Sequence, residues 1–419
     1  MSVCGSKHDS WGFVVCLKLE MYSMFKGVQL LAFATILAGL VVLISFSLVH
    51  SAEPPTILSI AAGGRHTCAV LSNGTIRCWG NNSDGRLGNG KLAEDYGRTV
   101  QVANINAARQ IAVGLNFSCA SLADGTVRCW GGNQYGQLGD GTTNKAIMPV
   151  TVTDLHSATE VAAGFFHACT LSNAGSIACW GRNDHGQLGN GTQIDSTIPV
   201  PVKGVTAAMA LSAGLSHTCA LLKTGIVRCW GSNQWGELGN GTKIDALVPV
   251  DVVGLQSVAA IGTGNNFSCA VITSGRVKCW GDNRQGQLGN GTSKESLVPE
   301  ETKGISSAIK VDGGSLHACA LLRQGTVNCW GFNQTGQLGY STKDDTTRPV
   351  HEQGIFVPDE VIGVRSAREV TTGLMHSCAL EGKSAVKCWG GEHQWRVLYN
   401  DGRHLNNHTD RHQSRPVIM

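Results

Sequence analysis

The tripeptide Cys-Trp-Gly recurs seven times along this 419-residue chain, and another cysteine stands ten positions before the cysteine of every copy. Successive copies are 50 or 51 residues apart, except for the last, which follows after 59. A fixed period of this length is typical of proteins built from stacked structural units, each of which buries its apolar face against its neighbours. The chain is therefore expected to form one large repeat structure.

The segment between the two cysteines of a repeat predicts a β-hairpin. In the first repeat, CAVLSNGTIRC, apolar and β-branched residues flank Ser72-Asn73-Gly74, and a three-residue loop ending in glycine suits a type I turn followed by a left-handed residue. Such a turn pairs Leu71 with Thr75, and therefore Cys68 with Cys78. Directly opposed strand residues have Cα atoms about 4.5–5.5 Å apart, which a disulfide accepts. The same count holds in repeats two to six and fails in the seventh.

An uncharged apolar segment, residues 28–49, lies near the amino terminus, with lysines before it and the small residues Ser51 and Ala52 after it. This is the order of regions in a signal peptide, and 22 residues also suffice to span a bilayer as a helix. A cleaved signal peptide and a retained signal anchor both remain open. We divide the chain into a cytoplasmic or basic region (1–27), the signal or anchor (28–52) and the repeat domain (53–419). The positive flank places the repeats outside the cytoplasm, as a secreted, periplasmic or cell-surface domain.

Fourteen of the sixteen cysteines share the ten-residue spacing. Zinc sites place two to four residues between the paired ligands, so nine intervening residues argue against a metal. Behind a signal-like segment, this spacing favours disulfides over reduced, buried thiols. We predict seven bridges within repeats: Cys68–Cys78, Cys119–Cys129, Cys169–Cys179, Cys219–Cys229, Cys269–Cys279, Cys319–Cys329 and Cys378–Cys388.

Each repeat offers three or four short strands: one before a recurrent glycine, two in the hairpin and one after a recurrent proline. The 54 glycines, about twice the average usage, disfavour an all-α chain. Seven such units predict an all-β, seven-bladed β-propeller, preceded by the signal or signal-anchor helix. The tryptophan after the second cysteine is expected at the interface between blades. An open solenoid would need atypical units at both ends, whereas the first repeat is regular and residues 415–419 echo the proline strand that would complete the seventh blade.

The consensus G-x-x-H-T-C-A-V-L-x-x-x-G-x-I-x-C-W-G-x-N-x-x-G-x-L-G resembles the repeat of the regulator of chromosome condensation family over residues 57–419. The resemblance implies a seven-bladed propeller that binds partners and is not an enzyme. The family's namesake is a nuclear exchange factor for the Ran GTPase that also binds chromatin, and its exchange activity depends on an inserted β-wedge. Repeats one to six contain no such insertion. One secreted bacterial member inhibits β-lactamases through its loop-bearing face. The cysteine pair is not part of the general family pattern, and the last repeat lacks the Leu-Gly ending.

A histidine stands two places before the first cysteine in five repeats, and Phe117 and Phe267 replace it in the other two. Substitution by phenylalanine indicates a packing position rather than a ring of metal ligands. No carboxylate recurs nearby to make a catalytic pair, and the chain has no phosphate-binding loop. We therefore predict no enzyme activity, no metal and no cofactor. The histidines are His66, His167, His217, His317 and His376.

Candidate binding residues are those that vary while the scaffold repeats. Two places after a recurrent asparagine stand Asp84, Tyr135, His185, Trp235, Gln285, Thr335 and, in the irregular last repeat, Gln394. One loop per blade would bring these residues to one face, where aromatic side chains dominate binding. The alternative is that they only cover the loop beneath. Trp395 is expected near the rim of the same ring.

A longer connection before the last repeat contains the apolar sequence Phe356-Val357-Pro358. We interpret it as a loop tip that either contacts a partner or caps a blade junction. Charged residues make up only 15% of the chain and its net charge is +3, which gives no basic stripe for nucleic acid.

Together these features predict an exported, monomeric, non-catalytic scaffold that binds a protein or a glycan through one loop face, with a single membrane anchor if the apolar segment is retained. One alternative is a secreted inhibitor of a hydrolase such as a β-lactamase. Another is a guanine nucleotide exchange factor, which requires a cytosolic propeller and contact with a small GTPase.

Overall fold

The computed structural model describes residues 55–92, 98–340, 355–391 and 415–417. These residues form 28 β-strands in seven four-stranded antiparallel sheets, which are the blades of a propeller. The prediction of an all-β, seven-bladed propeller is therefore confirmed. Within these four ranges, no helix is long and apolar enough to cross a membrane. The predicted signal or anchor, residues 28–52, lies outside the described residues and stays a prediction.

Each blade takes four consecutive strands of the chain, numbered from the central axis outwards. Blades 1 to 4 consist of β1 Ile57–Ala62, β2 His66–Leu71, β3 Ile76–Gly80 and β4 Val100–Gln101; β5 Ala108–Val113, β6 Phe117–Leu122, β7 Val127–Gly131 and β8 Ala146–Thr151; β9 Ala158–Ala163, β10 His167–Ser172, β11 Ile177–Gly181 and β12 Ser196–Pro201; β13 Ala208–Ala213, β14 His217–Leu222, β15 Val227–Gly231 and β16 Ala246–Asp251.

Blades 5 to 7 repeat the arrangement. They consist of β17 Val258–Thr263, β18 Phe267–Ile272, β19 Val277–Gly281 and β20 Ser296–Glu301; β21 Ala308–Gly313, β22 His317–Leu322, β23 Val327–Gly331 and β24 Ile355–Glu360; β25 Ala367–Thr372, β26 His376–Glu381, β27 Ala385–Gly390 and β28 Arg415–Val417. Strand β28 pairs with β27, as expected for the segment that completes the seventh blade.

The second and third strands of each blade form the predicted hairpin. In blade 1, the Leu71 N–H donates to the Thr75 carbonyl at 2.9 Å, and Cys68 lies opposite Cys78. Gly74 has φ +76°, the left-handed conformation that glycine adopts without a steric penalty. The turn therefore sets the register that brings the two cysteines together.

All seven predicted disulfides are present, with S–S distances of 2.05–2.09 Å and Cα–Cα distances of 4.0–4.1 Å. Cys388 is half-buried, and the other thirteen bridged cysteines are buried. Cys4 and Cys16 lie outside the described residues. The disulfides therefore lie in the hydrophobic core and not on the surface of the propeller.

The hydrophobic core is divided into seven clusters, one at each interface between neighbouring blades. Trp130 of blade 2 illustrates the arrangement: it is fully buried and packs in one cluster with Val70, Ile76 and Leu87 of blade 1. Its Nε1 donates to the Arg86 carbonyl of blade 1 at 2.9 Å. The tryptophan after the second cysteine thus joins adjacent blades, as predicted.

The ring closes through contacts between blades 7 and 1. Glu369 Oε2 accepts a hydrogen bond from the Ile60 N–H at 3.0 Å. Gln110 of blade 2 makes the same contact with the Val161 N–H of blade 3 at 2.8 Å. The closing interface therefore repeats an internal one, which excludes the open solenoid. Because every blade is contiguous in sequence, closure depends on contacts between blades rather than on a blade shared by both ends of the chain.

Candidate functional site

Two loops of each blade share one face of the propeller. The first is the turn between the first and second strands, such as residues 63–65, and the second is the long loop that follows the third strand. We call this the loop face, and the opposite face, which carries the hairpin turns, the hairpin face. The candidate residues of the repeat pattern lie on the loop face, because they belong to the long loops.

The recurrent asparagine builds each long loop. Asn133 Oδ1 accepts from the Leu138 N–H at 2.9 Å, and its Nδ2 donates to the carbonyls of Thr142 and Asn144, both at 3.0 Å. Equivalent bonds recur at Asn183 and in other blades. The asparagine is a loop scaffold and is not available to a ligand.

In blades 2 to 6, a buried residue two places after the variable position accepts a hydrogen bond from the backbone N–H of that position. Gln137 Oε1 accepts from the Tyr135 N–H at 2.9 Å. In blade 4 the same role falls to Glu237, whose Oε2 accepts from the Trp235 N–H at 2.8 Å and whose Oε1 accepts from the Ser232 hydroxyl at 2.7 Å. Burial raises the pKa of Glu237. The variable side chains are therefore mounted on rigid backbone.

Tyr135 belongs to an aromatic and arginine cluster that joins blades 2 and 3. Its ring centroid is 5.0 Å from that of Phe166, which in turn lies edge-on to Phe165 at 6.5 Å. The Arg182 guanidinium lies over Tyr135, 5.0 Å from the ring centroid, and Asp184 holds it at 2.5 Å. All three rings are half-buried, so they present apolar surface to the solvent.

Trp235 makes the corresponding contact between blades 4 and 5. The Arg284 guanidinium lies 3.8 Å from the Trp235 ring centroid, and the buried Asp282 carboxylate binds Arg284 Nε at 3.0 Å. This geometry is a cation–π interaction. Trp235 is half-buried, so it also remains accessible to a partner.

The other predicted residues contact nearby polar groups. His185 Nδ1 lies 2.7 Å from Asp245 of blade 4, and Asp84 is ion-paired with Arg86. The backbone N–H groups of Gln285 and Thr335 are held like that of Tyr135. Gln394 and Trp395 lie outside the described residues. The structure thus brings Tyr135, His185 and Trp235 to one face, and each of them contacts the following blade rather than the others.

Phe356 is not at the tip of a loop. It lies in β24, the outer strand of blade 6, where its carbonyl accepts from the Gly291 N–H at 2.8 Å. Pro358, and not Pro349, occupies the position that Pro149 has in β8. The additional residues of this connection therefore fall before the strand, within 341–354, outside the described residues. The side chain lies beside Gly286, at the junction with blade 5.

Both aromatic contacts include residues that the repeat pattern did not single out: Phe165, Phe166 and Arg182 around Tyr135, and Arg284 over Trp235. Phe165 and Phe166 occupy the two positions between the recurrent glycine and the histidine position, and no two repeats carry the same pair of residues there. This variation could have identified them as candidate binding residues from the sequence, because the turn that carries them lies on the loop face, as the long loops do.

The recurrent histidines are buried between blades and do not form a metal site. His217 Nε2 lies 2.9 Å from the Ser268 hydroxyl of the next blade. Burial lowers the pKa of His217 to about 3, with a further contribution from His167. In the described part of the chain, no group of three or more His, Cys, Asp or Glu residues is placed to bind a metal ion.

The innermost strands surround an axial channel with a cavity of about 500 Å³. Glu160, Lys310, Asp312 and Glu369 are among the residues that line it. Lys310 Nζ lies 3.2 Å from Glu369. Burial raises the pKa of Glu160 to about 7 and also raises that of Asp312. The charged residues in its lining therefore break the sevenfold repeat of the propeller.

Repeat profiles of known families agree with this architecture. The "Regulator of chromosome condensation (RCC1) repeat" matches residues 57–86, 108–137, 158–187, 210–236, 258–287 and 308–337. A second profile of the same description matches residues 124–171, 174–221, 224–271, 274–321 and 324–380. The chain belongs to the regulator of chromosome condensation repeat family.

Curated relatives share only part of this RCC1 repeat protein. The E3 ubiquitin-protein ligase HERC2 of Homo sapiens is 31% identical over 96 residues, which are 23% of this chain and 2% of the relative. The ultraviolet-B receptor UVR8 of Arabidopsis thaliana is 31% identical over 105 residues, which are 24% of each chain. The matches thus span a quarter or less of the relatives' lengths.

Among solved structures, Prp20p from Saccharomyces cerevisiae superposes with a TM-score of 0.67 at 22% identity, over 77% of this RCC1 repeat chain and 82% of Prp20p. At that identity, the superposition establishes the common fold.

Proposed function

We propose that this propeller is a non-catalytic binding protein that works outside the cytoplasm and captures a protein partner with its loop face. The observation that carries the proposal is the set of half-buried aromatic rings on consecutive blades, Tyr135, Phe166 and Trp235, each in contact with an arginine. Aromatic and arginine side chains are the residues that most often dominate protein interfaces.

The rigidity of these side chains supports the proposal. Arg182 and Arg284 are held both by a ring and by a carboxylate, and the backbone beneath Tyr135 and Trp235 is fixed by buried side chains. A partner therefore binds to groups that are already ordered, which reduces the conformational entropy lost on association.

The disulfides support a location outside the cytoplasm, because such bonds form and persist in oxidising compartments. All seven blades contain one, and the apolar segment 28–49 precedes them. An exchange factor for a cytosolic GTPase would have to keep fourteen paired cysteines in a reducing compartment.

Two similar proteins support a role in recognition. Prp20p is described by its binding to Gsp1p and to histones, and UVR8 is named as a receptor. These partners belong to those proteins, and the partner of this chain is defined here only as a protein that docks on the loop face.

The test is capture of partners by the full chain, displayed by its native export route and cross-linked on intact cells. We expect Tyr135→Ala and Trp235→Ala to reduce the amount of captured partner severalfold without lowering thermal stability. Met209→Ala is the matched control, because it removes an exposed apolar side chain near the hairpin face. Equal capture by all three variants would contradict the proposal, as would a propeller protected from protease added outside the cell.

A further inference from the structure

The axial channel differs from the rest of the propeller in that its lining is not repeated. At the third position of the innermost strand, blades 4 and 5 carry Ala210 and Ala260, whereas blades 3, 6 and 7 carry Glu160, Lys310 and Glu369. Asp312 is a further carboxylate in the lining. Three carboxylates thus share the channel with one ammonium group.

Two of these carboxylates make no close ion pair, although Lys310 lowers the pKa of both through space. Lys310 is paired with Glu369 at 3.2 Å, whereas Glu160 and Asp312 form no ion pair with any residue in the described ranges. Each accepts a backbone hydrogen bond, from the Leu211 N–H at 3.2 Å and the Thr372 N–H at 2.8 Å. Unpaired charge in a partly desolvated site is unfavourable, and the raised pKa of both carboxyls reflects it. A cation in the channel would relieve this cost.

The mouth of the channel on the loop face is partly apolar. Phe165 and Leu374 line it together with the polar pair Asn265 and Ser315, and both apolar residues are half-buried. Asp312 is one residue before the end of β21, so it lies about 3 Å below the loop-face end of that strand at the rise of an extended strand. Glu160 is three residues before the end of β9 and lies about 10 Å below the loop-face end of that strand. A group entering from the loop face meets apolar surface first and Asp312 next.

The geometry points to a partner that inserts a lysine- or arginine-bearing segment into this channel. The aliphatic part of the basic side chain contacts Phe165 and Leu374, and its cationic end pairs with Asp312, with Glu160 further in. Lysine and arginine have this combination of an apolar stem and a charged head. The cavity of about 500 Å³ is within the usual size of a ligand site. This inference rests on the proposed function, since it specifies the partner's chemistry on the same face.

The test uses a fluorescein-labelled capped peptide, Gly-Leu-Lys-Leu-Gly, and a matched peptide with norleucine in place of lysine. Both are titrated into the full chain in a mild detergent, and binding is followed by fluorescence anisotropy. We expect the lysine peptide to bind about tenfold more tightly than the norleucine peptide, and Asp312→Asn to remove that difference. The affinity for the lysine peptide should also fall as salt is added.

Asp154→Asn is the control variant, because it makes the same change of charge on the hairpin face, where Asp154 has φ +55°, a conformation that asparagine also accepts. We expect it to leave peptide binding unchanged. If Asp312→Asn does not fold, the affinities of Glu160→Gln for the lysine and norleucine peptides test the inference instead.

Three results would overturn the inference: no binding of the lysine peptide, equal binding of both peptides, or binding that Asp312→Asn and Glu160→Gln leave intact. Displacement of the peptide by butylamine at an equal concentration would also overturn it, since the channel would then be a site for small amines. If these peptides fail while Tyr135→Ala and Trp235→Ala still reduce partner capture, the binding function of the loop face stands and only the channel's role is rejected.

Discussion

His217 donates a hydrogen bond from Nε2 to the hydroxyl oxygen of Ser268 on the next blade, at 2.9 Å. The Ser268 hydroxyl donates its only proton to the Glu237 carbonyl at 2.9 Å. Ser268 must therefore be the acceptor in its hydrogen bond with His217. Trp280 Nε1 donates to the same carbonyl at 2.9 Å. One chain of polar contacts thus crosses the interface from blade 4 to blade 5 and back.

The residue that faces this histidine position changes with it. Where the position holds histidine, the next blade presents a hydroxyl, and where it holds phenylalanine, the next blade presents alanine. Phe117 shares its core cluster with Ala168, and Phe267 shares its cluster with Ala318. The histidine pairs are His66 with Ser118, His167 with Thr218, His217 with Ser268, His317 with Ser377 and His376 with Thr67.

The pairing predicts a strong coupling between the two positions. Phe117→His should destabilise the fold by about 1–3 kcal/mol, because the ring N–H would be buried against Ala168 with no acceptor. The double variant with Ala168→Thr should recover most of that loss. Chemical denaturation of the wild type, both single variants and the double variant measures the coupling energy. Purely additive free energies would show that the pairing has no energetic role.

Acid should destabilise the propeller through its buried histidines. The pKa of His217 is about 3 in the folded chain, against 6.5 for an unperturbed side chain. The unfolded state therefore binds one more proton per such histidine between these values, and stability falls as the pH drops below about 6.5. Replacing His217 and Ser268 together by phenylalanine and alanine should make that fall shallower by about 1.4 kcal/mol per pH unit.

Denaturation curves of the wild type and this double variant at a series of pH values provide the measurement. The comparison cancels the opposing effect of the buried carboxyls, such as Glu160, whose pKa is raised and which both proteins share. Identical pH slopes would mean that His217 is not buried in the neutral form.

Each disulfide should contribute independently, because each closes a short loop within one blade. Replacing both Cys219 and Cys229 by alanine should cost about 2–3 kcal/mol and leave the other six blades folded. Mass spectrometry under non-reducing conditions should find bridges within repeats only. Bridges between repeats, or seven pairs of free thiols in exported protein, would contradict the predicted disulfides. They would also remove the support that the disulfides give to a location outside the cytoplasm.

Loss of a hydrogen bond between blades 7 and 1 should destabilise the propeller as much as the same loss between two internal blades. Glu369→Ala leaves the Ile60 N–H without its acceptor and should cost about 1–3 kcal/mol. Glu369→Gln keeps an acceptor, as Gln110 does towards Val161, and should retain most of the stability. Hydrogen exchange at the Ile60 amide distinguishes the two variants. Fast exchange in the wild type would indicate that the ring is not closed by this contact.

Much of the fold was predictable because it is periodic. The turn that sets the hairpin register recurs in six repeats, and the cysteine pair and the interblade tryptophan recur in all seven, so every copy predicts the same geometry. The placement of Tyr135, His185 and Trp235 on one face followed from their common position in the repeat.

The contacts of these residues were not predictable. Tyr135 and Arg182, for example, are 47 residues apart in sequence and meet only because of the angle between adjacent blades. The prediction that Phe356 lies at a loop tip was wrong, because two prolines, Pro349 and Pro358, could each have been the recurrent proline of this repeat. Only the pairing of β24 with β23 decides between them.

The coupled histidine positions constrain how such a chain grows by gene duplication. Blades 2 and 5, which carry phenylalanine there, each precede a blade that carries alanine at the facing position. Recombination that exchanges single blades would therefore place a histidine opposite an alanine, or a phenylalanine opposite a hydroxyl, unless the following blade is exchanged as well. A duplication would preserve these contacts only where it copied both sides of a junction between two repeats.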